Sequence, residues 1–103
     1  MNMQAMLKQA QALQKDMMKV KDEIDKTEFV GESSFVKVTL YGTREAKSVE
    51  ISSDSLDKDD VEALQDMLVI AINEANKKID KETETKMGKF GNIQDYFRYF
   101  YVS

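Results

Sequence analysis

Lysine side chains carry most of the charge chemistry this sequence offers, and they are gathered at its two ends. Within residues 1–21, Lys8, Lys15, Lys19 and Lys21 stand against Asp16 alone, a local balance of +3. Within residues 77–103, Lys77, Lys78, Lys81, Lys86, Lys89 and Arg98 stand against Asp80, Glu82, Glu84 and Asp95, a balance of +2. Between them, residues 53–66 hold Asp54, Asp57, Asp59, Asp60, Glu62 and Asp66 against Lys58, a balance of −5. Clustered ammonium groups bind phosphates by displacing their counterions, so the basic ends suit a polyanion. The net charge of −4 opposes a binder that relies on overall charge, which leaves the distribution as the informative feature.

Other chemistry is poorly supplied. With no Cys and no His the chain has no thiol and lacks the commonest general base and transition-metal ligand. Its glycines, Gly31, Gly42, Gly88 and Gly91, form neither GxGxxG nor a phosphate loop, and no calcium-loop spacing is present. The carboxylates of "SSDSLDKDD" lie side by side rather than at ligand spacing, so they read as caps and first-turn acids of a helix rather than as a metal site. No catalytic residue, metal, cofactor or small-molecule substrate is expected. No apolar run approaches the roughly 18 residues of a membrane span, and the first residues do not form the apolar block of a signal peptide. An intracellular protein is expected.

The elements that must position the lysines follow from periodicity. Met3, Met6, Ala10, Leu13, Met17, Val20 and Ile24 alternate in steps of three and four, a heptad seam on a helix expected over residues 1–27. Such a helix is about 40 Å long, more than the width of a small domain, so it must project and needs another helix along its seam. From Thr27 the composition turns aromatic and β-branched. Val36, Val38 and Leu40 alternate with Lys37, Thr39 and Tyr41, and Val49 and Ile51 with Ser48 and Glu50, which predicts half-buried strands. A three-stranded antiparallel meander is expected over residues 28–52, one face under helix and one wet. Gly42 belongs to a hairpin connection, and Gly31 marks a bulge or the bend between the first two strands.

A second helix is predicted over residues 57–88. Val61, Leu64, Leu68, Ala71, Ile72, Ala75 and Ile79 share a stripe that Met67 and Ile70 widen. Its first half is expected on the sheet and its polar second half as another projecting arm. Residues 89–103 form a tail in which Phe90, Tyr96, Phe97, Tyr99, Phe100 and Tyr101 surround Arg98, an aromatic patch suited to packing on this protein or a second subunit, or to stacking on bases. The fold class is therefore α+β, in the order α-β-β-β-α, as a single domain over residues 1–103. At 103 residues the buried share of the chain is only about 60–70%, so a partner subunit would help.

Taken in order, "LKQAQALQKDM", "FVGES", "VKVTLYG", "KSVEIS", "SLDKDDVEALQDMLVIAINEANKKI" and "KMGKFGN" resemble the YbaB/EbfC family of bacterial nucleoid-associated proteins. The resemblance runs over about residues 3–92. It implies an α+β homodimer whose helices extend from a shared core as arms, cytoplasmic and nucleoid-associated, binding double-stranded DNA with little sequence preference and organising the nucleoid or modulating expression. The arms' lysines, Lys8, Lys15 and Lys19 on one and Lys77, Lys78, Lys81, Lys86 and Lys89 on the other, are then the expected DNA contacts, chosen by charge and position. The seam residues Met3 to Ile24 named above, with Leu68 and Ile72, are the expected helix-packing and dimer contacts, partly in coiled-coil fashion on the second helix and partly across the dimer. Family members commonly end in a short Gly- and Pro-containing apolar tail, whereas this chain has no Pro and ends in "QDYFRYFYVS". A second reading makes the protein an assembly module, with the heptad helix and aromatic tail holding a protein partner. The sequence pI near 4.8 favours it.

Overall fold

Asn2 starts the first helix by accepting a hydrogen bond at its side-chain oxygen from the Gln4 N–H at 3.1 Å, satisfying one of the donors that a helix start leaves without partners. In this computed structural model, which describes residues 2–52 and 56–90, the helix α1 spans Met3–Lys26. Thr27 closes it, its hydroxyl donating to the Glu23 carbonyl at 2.7 Å. Three antiparallel strands follow in spatial order: β1 (Glu28–Ser33), β2 (Val36–Tyr41) and β3 (Ala46–Ile51). A short 3₁₀ turn (Lys58–Asp60) leads into α2 (Val61–Met87), and a second one (Gly88–Phe90) ends the described chain. The α-β-β-β-α order is as the periodicity predicts. The aromatic residues from Tyr96 to Tyr101 lie outside the described residues.

One core unites the pieces. Phe29 on β1 and Val36, Val38 and Leu40 on β2 face Ala71, Ala75 and Ile79 of α2, and Met17 and Ile24 of α1 join them with Met87 and Phe90. The two alanines set the spacing. With no side chain beyond Cβ, they let the α2 backbone settle onto β1 at Gly31. Gly31 is therefore neither a bulge nor a bend: it pairs with Val38 inside the ladder, and a Cβ there would lie 1.9 Å from the Ala71 carbonyl oxygen. The turn from β1 to β2 falls instead at Ser34, whose φ is 53°. The irregularity of the sheet is on β3, where Thr39 pairs with Ser48 and Leu40 with Ala46, so that Lys47 is the extra residue.

Two further expectations are corrected. Val49 and Ile51 pair with Val38 and Val36 and so share the core face of the sheet, yet they remain 50% and 41% exposed. Helix α2 lies over β1 and β2 and leaves β3 uncovered. Helix α2 meets the sheet most closely near its middle, at Ala71 and Ala75. Its polar second half keeps Ala75, Ile79 and Met87 in the core cluster with Met17 and Ile24 of α1 and is otherwise largely exposed. Its first half carries the exposed apolar residues Val61, Val69, Ile70 and Ile72, with Leu64, Met67 and Leu68 partly buried. The reason is size: only the alanine-bearing segment can approach the strands closely, and that segment lies past the middle of the apolar stripe.

At the end of α2, Gly88 has ordinary helical angles, φ −60° and ψ −30°, and a Cβ there meets nothing within 4 Å. Gly88→Ala is expected to raise stability by about 0.4–1 kcal/mol, chiefly by restricting the unfolded chain. A urea titration of the two proteins will show it as a higher midpoint with the same slope.

Candidate nucleic-acid interface

Which lysines are available to an anion depends on what already holds each ammonium group. Lys8, Lys15 and Lys19 are exposed on α1. Lys8 and Lys15 are seven residues apart, and Lys19 is one turn beyond Lys15, so the three follow one side of the helix. That side is the back of the heptad seam: with Met3 and Met17 at one seam position, Lys8 and Lys15 occupy the outermost one. Lys77 and Lys81, one turn apart on α2, are exposed as well. Among the described residues none of these five makes an ion pair.

The other three expected contacts have local roles. Lys78 donates to the Val30 carbonyl of β1 at 2.7 Å, holding α2 to an edge strand. Lys86 pairs with Glu82 one turn earlier at 3.4 Å. Lys89 lies over the Phe90 ring, 5.1 Å from its centroid, a cation–π contact at the helix end. These contacts weaken the claim of Lys78, Lys86 and Lys89 on a phosphate and strengthen that of Lys8, Lys15, Lys19, Lys77 and Lys81.

Arg44, the other cation drawn to α2, was not singled out by charge clustering. It sits in the β2–β3 turn with φ 76°, a left-handed conformation that costs a non-glycine residue about 1–3 kcal/mol. Its guanidinium donates to Asn76 and pairs with Asp80, both on α2. Arg44 therefore clasps the hairpin to the helix. No local sequence signal could reveal this, since the partners are 32 and 36 residues away. Gly42 serves the same corner differently: a Cβ there would lie 1.9 Å from the Ile24 carbonyl oxygen, where the end of α1 crosses the hairpin. Across the sheet, Lys47 pairs with Glu28, and that hydrogen bond, followed by the Glu28 charge, raises the Lys47 pKa from its ordinary value.

The acidic middle does cap. The Asp57 carboxylate accepts from the Asp59 N–H at 2.9 Å, and Asp60 reaches back to the Asp57 N–H at 3.1 Å. Glu62 follows in the first turn of α2. Lys77 and Lys81 lie beyond Ala71 toward the end that packs on α1, whereas these carboxylates lie before it, so charge is separated along α2. Exposed lysines thus line the outer side of α1 and recur at Lys77 and Lys81 on the later half of α2, while carboxylates gather at the start of α2. Such a surface can hold phosphates without reading bases, because contacts to the backbone of a duplex position a protein and carry no sequence information. Among the described residues no helix is long and apolar enough to cross a membrane.

Comparison with known proteins gives four findings. A model of the YbaB/EbfC DNA-binding family matches residues 1–93. A protein of Lactococcus lactis named a nucleoid-associated protein is 50% identical over 92 residues, covering 87% of this chain and 93% of that one. A nucleoid-associated protein of Enterococcus faecalis is 43% identical over 91 residues, covering 86% and 88%. In three dimensions, an uncharacterized protein from Helicobacter pylori shares the fold with a TM-score of 0.73 at 22% identity, over 87% of this chain and 97% of that one.

Proposed function

The chain belongs to the YbaB/EbfC DNA-binding family, and from that premise we propose that it is a homodimeric nucleoid-associated protein of the cytoplasm that binds double-stranded DNA with little sequence preference. The single observation that carries the mode of binding is the row Lys8, Lys15 and Lys19 on the outer side of a projecting helix, with no carboxylate among the described residues engaging any of them. Lys77 and Lys81, exposed on α2, add two more free ammonium groups among the described residues. Each ammonium group neutralises a phosphate and releases its counterion, so affinity comes from the number of contacts rather than from base edges. A dimer doubles that number. Fluorescence anisotropy with a random labelled duplex at several salt concentrations tests this: affinity should fall steeply as salt rises. Salt-independent binding, or none by a folded dimer at low salt, would favour the protein-partner reading instead.

The exposed core face of β3 supports the dimer. Val49 and Ile51 lie uncovered beside buried Val38 and Val36, and Val61, Val69, Ile70 and Ile72 lie uncovered on the early half of α2. Burying a side chain of this kind is worth roughly 1.5–3 kcal/mol, and β3 also offers an unpaired strand edge. A second copy on this face, with Leu68 and Ile72 contributing, removes both liabilities. Replacing Val49 and Ile51 by Asp is expected to shift the mass by light scattering from two chains to one. A retained two-chain mass would move the dimer contact elsewhere.

A further inference from the structure

The seam of α1 is used unevenly. Met17 and Ile24 are buried and Val20 partly so, against a core that ends with Met87 and Phe90 of the other helix end. Beyond that point the same heptad continues with Met3 77%, Met6 51% and Leu13 39% exposed, and with Leu7 beside them at 59%. Among the described residues no helix lies on the seam of residues 3–13, which is continuous with one that is filled.

We infer that residues 3–13 of α1 pair antiparallel with the same residues of a chain in a neighbouring dimer, joining dimers arm to arm. The spacing specifies the match. With the two arms reversed about a two-fold axis at residue 8, Met3 meets Leu13 and Met6 meets Ala10, the mixed seam layers of an antiparallel pair. Long Met6 falls opposite small Ala10, which is the complementarity such layers need. Leu7 comes against Leu7 on one flank and Gln9 against Gln9 on the other, so no like charges oppose. The outermost positions are Lys8 and Lys15, which remain free for phosphate.

This rests on the dimer reading above, and geometry separates the two contacts. The molecule is 70 Å long and about 20 Å wide, as its other extents of 22 and 19 Å show, so α1 runs along the long axis. The β2–β3 hairpin lies at the Ile24 end of α1, where Gly42 meets the Ile24 carbonyl. Residue 8 is 16 residues toward the tip, or about 24 Å of helix rise. The two-fold axis of paired arms crosses the helix there, at right angles to it, and so cannot pass through β3. One chain with two distinct two-fold contacts builds assemblies larger than a dimer. Each arm contact spans under two heptads and is weak alone, so assembly is expected to strengthen where dimers gather on one DNA.

The chain has no cysteine, which makes the test direct. Leu7→Cys and Lys8→Cys full-length proteins are mildly oxidised, and the masses of wild type and of Met6→Glu/Leu13→Glu are followed by light scattering over concentration. Met6 and Leu13 are surface positions, so the double variant keeps its core. Expected are a wild-type mass that climbs from two chains toward four, a double variant fixed at two, and several-fold more cross-linking through L7C than K8C, in species of four chains or more. In a V49D/I51D background, L7C cross-linking that yields two-chain species from single chains supports arm pairing independently of the β3 face. Equal cross-linking by L7C and K8C, or a double variant that tracks wild type at every concentration, overturns it. So does a double variant that falls to one chain while V49D/I51D keeps two, which would make the seam the primary dimer contact.

Discussion

Gly31→Ala is expected to destabilise the protein by about 3 kcal/mol or more, lowering the urea midpoint sharply. The added Cβ would sit 1.9 Å from the Ala71 carbonyl oxygen and 2.6 Å from the Ala75 nitrogen. Both are backbone atoms of α2, so no rotamer change relieves the clash. The helix must move off β1, and with it the contact that buries Phe29, Val38 and Ile79 and carries Lys77 and Lys81 into place. Alanine at Gly88, where space is open, should act in the opposite direction. An unchanged midpoint for Gly31→Ala would mean that α2 does not lie this close to β1 in solution.

Reversing Lys15, Lys19, Lys77 and Lys81 together to Glu is expected to weaken duplex binding by at least about a thousandfold at moderate salt, with the dimer intact. In a dimer the four positions become eight, and if all contact phosphates their slope of log affinity against log salt is about −7. The physical basis is availability: these ammonium groups are exposed and make no ion pair among the described residues. Neutralising Lys86 and Lys89 to Gln, whose partners are Glu82 and the Phe90 ring, should cost less than about tenfold. Comparable losses from both variants would show that Lys86 and Lys89 also contact the duplex despite their partners in the protein. Retention of a protein partner by the fourfold variant, with DNA unaffected by salt, would instead favour the assembly-module reading.

Much of the fold is legible in the sequence because its signals are periodic and local. The 3-4 spacing from Met3 to Ile24 announces α1, and the alternation from Val36 to Tyr41 announces β2. Asp57 and Asp60 sit where caps belong. The reading of α2 failed in detail for an identifiable reason. Apolar size suggested that the whole Leu- and Ile-rich first half would pack on the sheet, but the closest approach falls at the small residues Ala71 and Ala75, so Leu64, Met67 and Leu68 are only partly buried and Val61, Val69, Ile70 and Ile72 stay exposed. Gly31 misled in the same way. Its missing side chain serves a helix approaching from 40 residues later in the chain, and a strand pattern contains no trace of that approach.

The basic ends were legible too, since charge clustering is a property of composition. Sorting the lysines was not. Lys78 is tied to the Val30 carbonyl across 48 residues, and Arg44 is tied to Asp80 across 36, so their roles arise only when the sheet and α2 meet. By itself the sequence determined the elements, their order, the absence of thiol and imidazole chemistry and the placement of charge at the two ends, because each depends on residue type and nearby spacing. Tertiary structure alone decided which half of each helix is covered, which ammonium groups are held by the protein and which strand face is left open. Those outcomes depend on how closely two backbones approach, which is set by side-chain volume at contacts between residues distant in the chain.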